Sequence, residues 1–331
     1  MADLDTADRR AEVELGLERH RRELTAYCYR MLGSAFDAED AVQETLVRAW
    51  RNADRFEGRS SVRTWLYRIA TNACLDMLNG KERRVRPMDA SPASSADSPL
   101  PAPLPEATWI LPMPDSRILP TDGDPAEMAA ARDTVRLAFI AALQYLPPRQ
   151  RAVLILREVL RWKAEEVAQL LDTTVASVNS ALQRARATLD ATGISDDDPA
   201  EPVQPEHEDL LARYVDAFER YDLDSLLELL DEDVRQDMPP YELWLQGHED
   251  IKRFYLGPGI GCRGSRLVPT AANGLPAFGQ YRPSGPGGSF EPWALVVLRP
   301  SGDRITEMHF FLDTASLFPL FGLPPTPEDQ P

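Results

Sequence analysis

The hydrophobic positions of this chain change period along its length and divide it into three segments. From about residue 15 to 86, and again from about 128 to 190, apolar residues recur at i, i+3 and i+4, as on one face of an α-helix. The clearest stretch runs from Glu165 to Arg186. Val167, Leu170 and Leu171 stripe a first helix, the polar run Asp172–Thr174 interrupts it, and Val175, Val178, Leu182, Ala185 and Leu189 restart the stripe. Two short helices across so tight a turn predict a helix-turn-helix. At about 100° per residue the far side of the second helix carries Ser177, Ser180, Gln183 and Arg184. These are side-chain types that reach base edges and phosphates in a major groove. A helical hairpin in an all-α core would show the same apolar stripe, so this segment alone leaves both open.

Beyond about residue 206 the pattern changes class. Leu210, Leu211, Tyr214, Val215 and Phe218 stripe one helix, and Leu223–Leu230 form a second. Strand-like runs follow near Val234–Met238, Arg266–Ala272 and Phe278–Arg282, and Trp293–Leu298 and Ile305–Leu312 flank the turn-rich Pro300–Asp303, a predicted hairpin. Helices followed by antiparallel strands predict an α+β fold with helices on one face of a curved sheet. Two linkers separate the segments. Pro87–Pro125 is too rich in Pro and Ser to hold a long helix, and Gly193–Glu206 is acidic, as a hinge would be. Within the first linker, Trp109–Leu119 places Trp109, Leu111, Met113 and Leu119 in an otherwise polar tether. Apolar clusters of this kind dock on a partner surface.

Charge sharpens this division. At 331 residues the chain has room for two or three domains, and its formal net charge of −17 opposes DNA binding unless basic groups are segregated. They gather between Arg48 and Arg86 and between Arg149 and Arg186, whereas Asp196–Asp198, Glu201, Glu206, Glu208 and Asp231–Asp233 follow. Nucleic-acid work is therefore expected in the first two thirds. The N-terminus lacks an apolar leader, and no run approaches the roughly 18 apolar residues of a membrane span, so a cytoplasmic protein without membrane contact is expected. Cys28, Cys74 and Cys262 stand far apart without metal-ligand spacing, as buried reduced thiols would.

Two further stretches carry a specific resemblance. Asp37–Arg51 opens with a plausible N-cap and early acids before Val42, Leu46 and Ala49, and keeps Asp40, Gln43 and Glu44 on its polar side. Phe56–Asp76 leads a Gly-containing loop into a helix that interleaves aromatics with arginines, the grammar of single-strand binding in which cations track phosphates and rings stack on bases. Over about residues 15 to 190 the chain resembles the sigma-70 family of bacterial transcription initiation factors, in its small extracytoplasmic-function (ECF) group. The resemblance implies two all-α domains: region 2 at 15–86 and, after a Pro-rich linker at 87–127, the region 4 helix-turn-helix at 128–192, followed by an acidic linker at 193–205. It implies that Asp40, Gln43, Glu44 and Trp50 contact the clamp helices of the largest subunit of core RNA polymerase. Phe56, Arg59, Ser60, Arg63, Trp65, Tyr67, Arg68 and Asn72 would read and melt the minus-ten element of promoter DNA. Ser177, Asn179, Ser180, Gln183 and Arg184 would read the minus-thirty-five element, with Arg186 nearer the phosphates.

Residues 206–320 resemble the SnoaL-like branch of the NTF-two-like cone fold, on the order of elements, on Met238–Gly247 and on the hairpin ending in His309–Asp313. In some ECF subgroups such an appendage and the linker are implicated in regulation in cis. The cone fold also houses isomerases, cyclases and hydrolases, so it does not settle activity. Acid–base candidates are Asp237, His248, His309 and Asp313, and a candidate small-molecule pocket would use Asp237, Trp244 and His309. His309 is expected to share a strand face with Ile305, Glu307 and Phe311. No metal triad, nucleophile elbow or phosphate loop is present in the sequence, so no catalytic residue, metal or cofactor is expected. The primary reading is a non-enzymatic polymerase subunit with a regulatory tail. The alternatives are a factor fused to a working small-molecule enzyme and a helix-turn-helix regulator that needs no polymerase.

Overall fold

Gly33 and Ser34 stop the first helix and start the second. Gly33 adopts φ +71°, and its N–H donates to Tyr29 O at 2.8 Å, closing α1 (Ala2–Leu32). The Ser34 hydroxyl then accepts from the Asp37 N–H at 3.3 Å and caps α2 (Ala35–Arg51). In the computed structural model, residues 2–56, 58, 60–122, 124–192 and 205–329 are described; most of the acidic linker lies outside them. The chain divides into two units, one of Met1–Arg84 with Ile110–Asp197 and one of Val85–Trp109 with Asp198–Pro331.

In the helical unit, α1 and α2 pack with α3 (Val62–Leu78), whose N-cap Ser61 accepts from the Thr64 N–H at 3.1 Å. Tyr27, Met31, Leu66, Tyr67, Ala70 and Cys74 fill the bundle, and the Tyr27 and Thr71 hydroxyls share a 2.8 Å hydrogen bond. The next elements of this unit are α5 (Asp115–Ile118), α6 (Pro125–Asp133), α7 (Leu137–Gln144) and α8 (Pro148–Leu154). A π-helical turn over Ile155–Val159 leads to α9 (Ala164–Leu170) and α10 (Val175–Thr192). Between those two, Asp172 takes φ +49° and Thr174 Oγ1 accepts from the Ser177 N–H at 3.1 Å, so the polar run both ends one helix and caps the next. Val167, Leu170, Val178, Leu182 and Ala185 are buried, as the stripe requires.

The second unit is an α+β domain. Helices α11 (Pro205–Arg220), α12 (Leu223–Glu228) and α13 (Gly247–Leu256) accompany a six-stranded sheet ordered β2-β1-β6-β5-β4-β3. Its strands are β1 (Leu230–Asp237), β2 (Trp244–Gln246), β3 (Arg266–Ala272), β4 (Leu275–Arg282), β5 (Glu291–Ser301) and β6 (Arg304–Phe311), followed by α14 (Thr314–Phe321). All neighbours pair antiparallel except β1 with β6, which is parallel and corrects the purely antiparallel expectation. The parallel pair is open to the chain because α13 and four strands intervene, far more than a tight turn. Tyr214, Phe218, Val234, Tyr255, Val296, Met308 and Phe310 belong to one core between helices and sheet.

The first linker is shared out between the units. Val85–Trp109, with α4 (Pro87–Ala90), forms a strap on the cone domain. The Trp244 indole donates to Ser91 O at 2.8 Å, the Ser94 N–H to Trp244 O at 2.8 Å, and the Leu104 N–H to Pro240 O at 2.9 Å. Ala96 enters the hydrophobic core of this domain, and the fully buried Trp109 donates its indole N–H to Pro240 O at 3.1 Å. Leu111, Met113 and Leu119 are instead buried in the helical unit, where the Leu111 N–H donates to Gly33 O at 3.0 Å and Tyr29 OH to Leu111 O at 2.9 Å. The four apolar linker residues therefore do not form one docking cluster, because successive positions are claimed by different cores. Truncating a buried Trp costs about 3–5 kcal/mol. Trp109→Ala should lower the cone-domain transition in calorimetry by that order and leave the helical transition in place, whereas Met113→Ala should do the reverse.

Candidate nucleic-acid interface

On α2, Asp40, Gln43, Glu44, Val47 and Trp50 are all exposed and recur at helical spacing on the side away from buried Ala38, Ala41, Val42, Thr45 and Ala49. Val47, 40% exposed, and Trp50, 60% exposed, give the polar row an apolar edge. Val47 was missed because an aliphatic in a helix reads as core. Glu44 Oε1 accepts from Arg48 Nε at 2.6 Å, and Arg48 reaches Asp76 Oδ2 at 3.2 Å, which ties α2 to α3.

The minus-ten candidates divide. Arg68 and Asn72 are exposed on α3, Ser60 and Trp65 are partly buried, and Phe56 is buried against Trp65 with ring centroids 5.2 Å apart. Arg59 lies outside the described residues. Tyr67 does not join this face. Two residues on a helix are about 200° apart, so with Trp65 facing out, Tyr67 faces in, fully buried against Tyr27 at 5.2 Å and Trp162 at 5.0 Å. Its hydroxyl donates to Glu23 Oε2 at 3.3 Å, and burial, with the Glu23 charge, pushes its pKa far up. Arg63 forks onto Glu23 at 2.7 and 3.0 Å and lies over the Tyr67 ring at 5.2 Å.

The recognition-helix candidates are brought together as expected. Ser177, Asn179, Gln183, Arg184 and Arg186 are exposed on α10, and Ser180 is partly buried. Arg184 donates to Ser180 Oγ at 2.7 Å, and Arg186 to Glu158 Oε1 at 2.6 Å. The face thus holds a preset fork of donors with short hydroxyls beside it, which suits base-edge reading.

In the cone domain, Trp244, Asp237 and His309 lie in one row across β2, β1 and β6. They sit on the sheet face away from the core, which is built from their neighbours Met238, Leu245, Met308 and Phe310. Ile305 does not share that face: between the pairs Pro300↔Ile305 and Arg299↔Glu307 the register slips by one residue, a bulge that turns Ile305 into the core. His309 is 2% exposed. Its Nδ1 donates to Asp237 Oδ2 at 2.8 Å and its Nε2 to Glu307 Oε2 at 3.2 Å, so both ring nitrogens carry protons. Arg235 pairs with Glu307 at 2.9 Å, Arg299 at 3.4 Å and, from the strap, Arg86 at 3.9 Å, while Arg86 grips Asp89 bidentately at 2.9 and 3.0 Å. Burial opposes the charge on His309, but Asp237 and Glu307 outweigh it and hold the imidazolium up to about 9. Burial likewise opposes the Glu307 carboxylate, and the His309 hydrogen bond with the nearby arginines holds it well below its ordinary range. The other acid–base candidates stand apart: His248 contacts Leu230 O at 3.3 Å, and Asp313 is exposed. All three cysteines are buried free thiols.

Three family models match the chain in succession. Residues 17–84 match Sigma-70 region 2, residues 136–189 match Sigma-70 region 4, and residues 211–308 match a SnoaL-like domain. The chain is 46% identical over 320 residues to the ECF RNA polymerase sigma factor SigG of Mycobacterium tuberculosis, covering 96% of this chain and 85% of SigG. It is 27% identical over 285 residues to SigJ of the same species, covering 80% and 83% of the two chains. A crystal structure of SigJ shares the fold, with a TM-score of 0.58 at 21% identity over 93% of this chain and 98% of that one. The chain belongs to the ECF sigma factors of the sigma-70 family, in a form that carries a SnoaL-like domain after region 4. Among the described residues no helix is long and apolar enough to cross a membrane.

The ion cluster sets a pH window for the cone domain. His309 has a folded pKa of about 9 against an ordinary 6.5, so its contribution is full below about 6.5 and is lost as pH rises through about 9. Glu307, held below its ordinary 4.5, contributes above that value and loses its contribution as pH falls further. Breaking one partner of a buried pair costs about 3–5 kcal/mol. Urea melts of His309→Gln should show a loss of that order near pH 7 and a flatter decline than wild type between pH 7 and 10. Parallel slopes would contradict the assignment.

Proposed function

We propose that this chain binds core RNA polymerase through the exposed α2 row and directs it to promoters in the cytoplasm, with α3 and its preceding loop on the minus-ten strand and α10 on the minus-thirty-five duplex. The observation that carries this reading is the helix-turn-helix with Ser177, Asn179, Gln183 and Arg184 exposed on one helix, behind a bundle whose α2 row is open to solvent. Working domains of 15–86 and 128–192, joined by 87–127 and followed by 193–205 and 206–320, fit these roles. The polar edge Asp40, Gln43 and Glu44 with the apolar Val47 and Trp50 suits a protein partner, since desolvated aromatics anchor such interfaces.

The cone domain acts in cis through its strap. A working enzyme would need a free base, and His309 is poorly suited because its imidazole is already protonated between two carboxylates. A regulator that dispenses with polymerase fits less well, because a net charge of −17 opposes unaided DNA binding. Asp40→Lys with Glu44→Lys should weaken core-polymerase binding at least tenfold, about 1.4 kcal/mol, while losing the exposed Glu44–Arg48 pair lowers stability by no more than about 1 kcal/mol and leaves the protein folded. Arg184→Ala should blur upstream-element choice, since a lost bidentate base contact costs about 1–3 kcal/mol. Trp65→Ala should keep closed complexes but give fewer open ones in permanganate footprints; equal footprints would count against α3 as the melting element.

A further inference from the structure

Strand β5 of the cone domain holds one residue too many for its partner. Gln280 pairs with Ala294 and Tyr281 with Pro292, so Trp293 is the extra residue of a bulge. Alternation would put Trp293 and Ala294 on opposite faces of the sheet. The bulge instead turns the indole to the side of Ala294, where it packs half-buried against the core. Arg282, two residues beyond Gln280 on β4, lays its guanidinium over that indole, 3.9 Å from the ring centre. Tyr281, between them, faces the other way onto Phe318 at 5.2 Å. The turn Pro258–Cys262 lies against the same guanidinium: a Cβ on Gly261 would collide with Arg282 Nη2, so any side chain there would displace it.

Charge, unmet hydrogen bonds and exposed apolar surface meet at this rim. Acids outnumber bases 53 to 36 in the chain, yet among the described residues neither Arg282 nor the exposed Arg263 has a carboxylate partner. Glu291, across from Arg282, accepts from Ser284 Oγ at 2.8 Å instead, and the neighbouring Arg266 is paired with Glu219 at 2.6 Å. Burial pushes the Tyr221 hydroxyl up to about 12 and the charges of Arg263 and Arg282 oppose it, so both guanidiniums converge on one phenol. Gln280 is fully buried; its Nε2 donates to Ser265 Oγ at 3.0 Å, but its Oε1 accepts no hydrogen bond, and Arg282 Nε makes none. Cys262, at the end of the turn, feels both side chains: burial raises its thiol pKa, while the Gln280 hydrogen bond and the Arg282 charge lower it. Desolvated polar atoms left unpaired are costly in a finished core. Beside them Leu256 and Ile260 are 60% and 48% exposed.

We propose that this rim is a binding site for an organic carboxylate carried on a flat apolar body, of the aryl or polycyclic acid class. The carboxylate takes the Nη edge of Arg282, with Arg263 adding charge, and the body lies against Trp293 and Ile260. A neutral ligand would leave the guanidiniums uncompensated, and an inorganic anion would leave the apolar lip bare. The site is on the core side of the sheet, opposite the face that carries Trp244, Asp237 and His309. It stands independently of any action of the cone domain in cis, which a bound acid would bias only by binding one arrangement better.

Titration calorimetry of the full chain without polymerase tests this, with 2-naphthoate as the probe and its uncharged isostere 2-naphthamide as the comparison. The site predicts saturable naphthoate binding with Kd below about 1 mM and naphthamide binding at least about tenfold weaker. Arg282→Met and Gly261→Ala should each weaken naphthoate by about tenfold or more. Gly261→Ala displaces only the far end of the Arg282 side chain, so it keeps the test open should Arg282→Met fail to fold. Absence of naphthoate binding up to about 10 mM, equal affinities for acid and amide, or full affinity in folded Gly261→Ala overturns the proposal. Binding as described, with promoter-dependent transcription indifferent to naphthoate, would leave the site standing and count against the cis role of the cone domain instead.

Discussion

A buried arginine held by carbonyl oxygens joins the two helical modules. Arg151, at 3% exposure, donates to Met31 O in the last turn of α1, to Gln144 Oε1 at 2.6 Å, and to Gln144 O and Leu146 O at 3.2 Å. No carboxylate pairs with it among the described residues, and burial lowers its pKa to about 10. It stays charged because helix-end carbonyls, which have no partner inside their own helix, supply the negative potential. Arg30 repeats the device, donating to the Thr134 carbonyl and hydroxyl at 3.0 and 2.8 Å, with its pKa also lowered by burial to about 10. Only one partner of Arg151 belongs to region 2, so separating the modules leaves most of its hydrogen bonds in place.

The cone domain solves the opposite problem. Its buried charges are closely balanced, with His309 between Asp237 and Glu307 and three arginines around the latter, one of them drawn from the strap. Breaking such a cluster is costly because it strands a charge. With Arg86 in the cluster and Ala96 in the core, the strap is structurally part of a domain whose other residues begin more than a hundred positions later. A segment that could have been a loose tether is therefore fixed at both its parts, one in each unit.

Legibility in the sequence followed the range of the interactions. The helix-turn-helix was readable because its stripe, its break at Asp172 and its cap at Thr174 are all local. Five of the six strands of the cone domain were readable as strand-like runs, whereas β2 was not read, and the Asn273-Gly274 hairpin, with φ of +57° and +75°, carried a local signal that could also have been used. Tyr67 was misplaced on the reading face although simple helical phase separates it from Trp65. The parallel pairing of β1 with β6, the bulge that turns Ile305 inward and the joining of Arg86 to Glu307 depend on partners far apart in sequence, which periodicity does not report. Trp109 and Leu111 look alike as apolar linker residues, and only the two cores tell them apart.

The central claim is that this chain gives core RNA polymerase its choice of promoter. Run-off transcription from a library of fragments of the source genome, with core polymerase alone and with the full chain added, tests it most directly. The account predicts a discrete set of chain-dependent start sites that share sequence near minus ten and minus thirty-five. Transcripts identical with and without the chain, or chain-dependent starts with no shared upstream sequence, would contradict it.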